Sequence, residues 1–164
     1  MKRLATLLTL AATPAAAVDD PCLIGTWEAD ASDMAHLMSV QTGASVIALS
    51  GRATMEILPS GEMTMLAEDM TFEMAMPDMP KVPVTITGYS RGSMTTDGAA
   101  FNTFVSDFDL VGKADIMGSV MEIPVNSGTA PWGSATGIYG CTDTGISFEA
   151  TALGSIPRSW RRVR

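Results

Sequence analysis

Pro21-Cys22-Leu23-Ile24-Gly25-Thr26-Trp27-Glu28-Ala29-Asp30 decides how this chain reads. Leu23, Gly25, Trp27 and Ala29 alternate with Ile24, Thr26, Glu28 and Asp30. Side chains of a strand point to opposite faces in turn, so this period of two predicts an opening β-strand. Glu28 and Asp30 then face water. The stretch also holds one of two cysteines and the first of three tryptophans.

Upstream, Lys2 and Arg3 precede a Leu/Ala run from Leu4 to Ala12, then Pro14 and the small residues Ala15-Ala16-Ala17. This is the pattern of a secretory signal peptide, residues 1–17, cleaved most simply after Ala17. Residues 18–164 are left as one domain, long enough to bury a core. The apolar run falls well short of the roughly 20 residues that span a bilayer. No later segment is long and apolar enough either, so no membrane span is expected. Asp20-Pro21 stand before Cys22 where a lipid-anchored cysteine needs small, apolar residues, which argues against lipidation.

The full chain carries 10 basic and 18 acidic residues, and removal of Lys2 and Arg3 leaves 8 against 18, a net charge of −10. Such a surface repels nucleic acid and anionic lipid. The expected location is periplasmic or secreted. Two cysteines in an oxidising compartment pair, which predicts a Cys22–Cys141 disulfide.

Downstream of the first strand, Met34, Leu37, Met38 and Gln41 recur at helical spacing. Ser32 is the expected N-cap and Gly43 the stop. From Ser45 the texture turns to β. Strands are expected over Arg52–Leu58, Glu62–Met76, Val82–Met94, Ala99–Leu110, Lys113–Val125, Thr136–Cys141, Ile146–Leu153 and Ile156–Arg164. Turns are expected at Pro59-Ser60-Gly61, Thr96-Asp97-Gly98, near Gly112 and at Thr142-Asp143-Thr144-Gly145. Pro77 to Lys81 and Asn126 to Ala135 read as loops, the latter containing Trp132. The alternation of Glu62–Met76 changes phase at Ala67-Glu68-Asp69, where a bulge or turn belongs. No βαβ alternation is present, which argues against a parallel sheet. The fold class is therefore mainly β: an antiparallel up-and-down barrel of about 8–9 strands, with one helix after the first strand. Closure removes the exposed edges that an open meander of this length leaves.

Gly25-Thr26-Trp27 resembles the Gly-x-Trp signature of the lipocalins and their wider calycin relatives. That resemblance implies a tryptophan plugging the closed end of a barrel, with a basic residue of the last strand packed over its ring. The chain ends Ser159-Trp160-Arg161-Arg162-Val163-Arg164, so Arg161 and Arg162 are both candidates for that place over Trp27. A guanidinium over an indole contributes about 0.5 to 2 kcal/mol.

No constellation of catalytic residues is evident, and no enzymatic activity or cofactor is expected. His36 is the single histidine, so a zinc site is not expected. No Gly-x-Ser-x-Gly elbow or phosphate loop occurs. Asp107 and Asp109 share a strand face and read as a solvated outer pair. The methionines are the unusual feature, with 13 in the chain. They read first as adaptable core filler. As a functional expectation, Met63, Met65, Met70, Phe72, Met74, Met76, Phe104 and Phe108 line a pliable cavity for a small apolar ligand. A different expectation is capture of soft Cu(I) or Ag(I) ions by Met70, Met74, Met76 and Met79. A third is an envelope protein whose barrel is filled and holds no ligand.

Overall fold

The computed structural model describes residues 18–77, 80–125, 134–152 and 155–163. The signal-peptide expectation, Met79 and Trp132 lie outside them. A single 3₁₀ turn, Pro21–Leu23, leads into β1 (Gly25–Ala29), α1 (Ala31–Thr42), β2 (Ser45–Ile57), β3 (Glu62–Ala75), β4 (Val82–Asp97) and β5 (Ala100–Ile116). β6 (Ser119–Val125), β7 (Ala135–Cys141), β8 (Gly145–Ala150) and β9 (Ser159–Arg162) follow. Every pairing is antiparallel. β1 to β5, then β7 to β9, close into an eight-stranded barrel through the β1–β9 and β4–β5 pairings. β6 is a ninth strand that folds back on the far half of β5 and lies outside the closed ring.

The two ends of the barrel differ. At one end the β2–β3, β4–β5 and β7–β8 connections are tight turns, at the positions the Gly, Ser and Asp residues predict. At the other end the connections are long, and α1 is one of them. The Cys22–Cys141 disulfide ties the N-terminal segment to β7 at the tight end. Tyr139 reinforces that attachment, with its hydroxyl 3.1 Å from Asp20 Oδ2 and 3.0 Å from the Gly98 carbonyl.

The core alternates as β-structure requires. Trp27, Met55, Ile57, Met63, Met65 and Phe72 all point inward and are fully buried. Each side chain of that size contributes roughly 1.5 to 3 kcal/mol on burial. The phase change in β3 is a register shift between Ala67 and Met70, with Asp69 in the left-handed region at φ 48°. It returns Met70, Phe72 and Met74 to the inner face. Gly51 of β2 lies against it, and a Cβ there would come within 2.2 Å of the Asp69 carbonyl oxygen. Glycine is therefore the residue that lets the two backbones meet.

Two local expectations are corrected. The N-cap of α1 is Asp30, not Ser32: its carboxylate accepts hydrogen bonds from the Ser32 and Asp33 backbone N–H groups. The Ser32 hydroxyl, which also donates to that carboxylate, contributes most, and with the backbone bonds it holds the Asp30 carboxyl below its ordinary value. Gly43 ends the helix as expected, in the left-handed conformation at φ 70°. The second correction concerns Gly112. It is buried in mid-strand, paired with Ile86 and Ile123. The turn lies later, at Met117-Gly118, both at positive φ, where Asp115 Oδ1 accepts the Gly118 N–H.

Candidate functional site

Arg162, not Arg161, covers Trp27. Its guanidinium carbon stands 4.0 Å from the Trp27 ring centroid. Nη1 donates to the Ile24 carbonyl at 3.0 Å, Nη2 to that of Cys22 at 2.6 Å, and Nε to that of Asp143 at 2.9 Å. One side chain thus clamps the entry segment, the β7–β8 turn and the buried indole. The Trp27 Nε1–H donates to the Leu23 carbonyl at 2.8 Å, which leaves no orphan donor in the plug. Arg161 points outward and pairs with Glu28. β9 pairing places Trp27 opposite Arg162 and Glu28 opposite Arg161, so strand parity separates the two arginines.

The residues expected to line a ligand cavity divide into three groups. Met63, Met65, Met70 and Phe72 are buried in the core cluster, together with Met34, Met38, Met55 and Met94. Met74 and Phe108 are half-buried against that cluster. Met76 is exposed. Phe104 is corrected: it lies on the outer face, 60% exposed. It is three residues from inward-facing Phe101, and an odd separation in a strand reverses the face. Phe108 recovers the inner side because β5 carries an irregularity opposite Arg91 and Gly92. The methionines considered for a soft metal differ in exposure: Met70 is enclosed, Met74 half-buried and Met76 open. Among the described residues there is no group of three or more His, Cys, Asp or Glu side chains placed to hold a metal ion.

Asp107 and Asp109 are both exposed on the outer face of β5. Arg91 stands 4.0 Å from Asp107 and 4.3 Å over the Tyr89 ring. This is a solvated charge ladder across β4 and β5.

A concave site lies instead at the mouth spanned by α1. A groove of ≈ 490 Å³ runs between the helix and the β8–β9 connection. Asp33, His36, Leu37 and Val40 of α1 form one wall; Phe148, Glu149 and Ala150 of β8 and Ile156 and Arg158 of the connection form the other. Leu37, Phe148 and Ile156 are buried and make an apolar floor. Asp33, His36, Glu149 and Arg158 bring polar groups to the groove. Glu149 and Arg158 pair with each other at 3.7 Å. Local sequence pattern does not reveal this groove, because its walls are more than a hundred positions apart in the chain. The one available signal was the helical face Asp33, His36, Leu37 and Val40, spaced at three or four residues. A second, smaller depression of ≈ 320 Å³ opens along β1 and β9, bordered by the charged side chains Glu28, Arg52 and Arg161.

No family model, curated protein or solved structure matches this chain. The class that the fold itself defines is a closed, eight-stranded antiparallel barrel of a kind compatible with the calycins. No helix among the described residues is long and apolar enough to cross a membrane.

Proposed function

We propose that the protein is an exported, non-catalytic binding protein of lipocalin-like build, and that its ligand is a small apolar molecule held in the groove between α1 and the β8–β9 connection. The observation that carries this reading is the groove itself. Its ≈ 490 Å³ falls within the range of small-molecule sites, and it combines an apolar floor with a few polar groups. The disulfide fits an oxidising compartment. The methionine-rich barrel interior supports the groove over the barrel centre, because side chains such as Met55, Met63 and Met65 already fill that space.

Native mass spectrometry of protein purified from its own host tests this. A ligand-sized mass is expected with the wild type. Val40, 44% exposed on the groove wall, can accept a charge without disturbing the core. Val40→Asp is expected to lose that mass and to lose binding of an apolar fluorophore. Fluorophore binding unchanged in Val40→Asp would overturn the reading.

The filled barrel also favours a second reading, a packed structural protein of the envelope with no small-molecule ligand. It predicts that neither the wild type nor the variant carries any adduct.

A further inference from the structure

The groove has an electrostatic asymmetry that specifies its ligand further. Glu149 and Arg158 neutralise one another across the β8–β9 side. Asp33, on the helix side, has no basic side chain within ion-pair distance among the described residues. Its Oδ2 is buried and has no hydrogen-bond partner. A buried carboxylate oxygen without a donor is an unmade hydrogen bond that weighs against the fold. The position of Asp33 in the first turn of α1 offsets part of that cost through the helix dipole, but supplies no donor to Oδ2. Asp33, Glu149 and Arg158 together sum to one negative charge, beside an apolar floor.

We infer that the groove takes a cationic amphiphile: an apolar body seated over Leu37, Phe148 and Ile156, and a protonated primary or secondary amine donating to Asp33. The amine supplies the positive charge that the half-buried Asp33 lacks. An anionic head would meet Asp33 and Glu149 together. The acidic surface of the chain, net −8 overall, also draws cations toward it. This inference rests on the groove being the binding site.

The test compares n-octylamine, n-octanol and n-octanoate, three probes with the same tail, by calorimetric titration at neutral pH. The amine is expected to bind about tenfold or more tightly than the alcohol, and the octanoate weakest. Asp33→Asn is expected to abolish the amine's advantage while leaving octanol affinity within about twofold, which also reports that the variant is folded. Asp33→Glu retains the preference for amine. Equal binding of amine and alcohol by the wild type, or an amine preference that survives Asp33→Asn, overturns the head-group assignment and leaves the groove reading standing. Failure of all three probes to bind overturns both. Should Asp33→Asn not fold, the wild-type ratio of amine to alcohol decides the matter.

Discussion

The guanidinium carbon of Arg162 stands 4.0 Å from the Trp27 ring centroid, while its three nitrogens reach the carbonyls of Cys22, Ile24 and Asp143. The contact is therefore more than a cation over a π face. It satisfies backbone acceptors of two separate segments at the point where the last strand meets the first.

Arg162→Ala is expected to cost about 2 to 4 kcal/mol, combining the cation–π contact with charge-assisted hydrogen bonds. Arg162→Lys recovers only part, since an ammonium cannot present the same fork. Arg161→Ala removes an outer ion pair and is expected to cost under about 1 kcal/mol. Urea denaturation of the three variants checks the order. Equal losses at positions 161 and 162 would contradict it.

The Cys22–Cys141 bridge spans 119 residues. On the chain-entropy account, its removal destabilises by about 4 to 5 kcal/mol. Equilibrium unfolding of the Cys22→Ala/Cys141→Ala double variant, set against the oxidised wild type, measures this. A loss below about 1 kcal/mol would mean that the barrel closes unaided.

Tyr139 couples stability to alkaline pH. Burial, foremost, and the Asp20 carboxylate beside it raise the phenol above its ordinary value. A raised folded-state value means that the contribution of Tyr139 is complete below the unfolded pKa of about 10 and declines as pH climbs toward the folded one. Tyr139→Phe is expected to be about 1 kcal/mol less stable at neutral pH. The gap should narrow above about pH 10. Short-exposure thermal melts across pH 7 to 11 test it, and a gap independent of pH would refute the coupling.

Gly51→Ala is expected to destabilise by about 3 kcal/mol or more, because φ of 83° and a 2.2 Å approach to the Asp69 carbonyl both oppose a Cβ. Gly43→Ala, whose φ is 70° but whose Cβ would meet nothing within 4 Å, isolates the conformational share and is expected to cost about 1 kcal/mol. Chemical denaturation of both variants gives the difference.

Much of the fold was legible because its signals are local. Trp27 and its alternating neighbours announced β1, the Gly-containing turns marked the tight end, and the broken phase at Ala67-Glu68-Asp69 located the irregularity in β3. The choice between Arg161 and Arg162 could also have been made. Apolar Trp160 points inward, and Arg162, two residues on, shares its face. Gly112 misled because glycine signals both turns and crowded strand interiors, and only the partner strands distinguish them. Ser32 misled because Asp30 and Ser32 are both good caps, and the end of β1 decides which of them stands at the boundary. The groove escaped altogether, since α1 and the β8–β9 connection become neighbours only when the barrel closes.

β9 is four residues long, yet it alone joins β8 to β1. Most other contacts in the barrel wall link strands adjacent in sequence, whereas Glu28 and Arg161 meet across 133 positions. Local pairings are therefore expected to form first and to await a slower encounter between β1 and β9. Loop-closure entropy is expected to make that encounter the slow step. Cys22 bound to Cys141 brings the far end of the chain to β1 beforehand, so that only β8 and a short tail have still to find their place. The bridge acts as a timer as well as a staple: oxidised chains should refold faster than reduced ones.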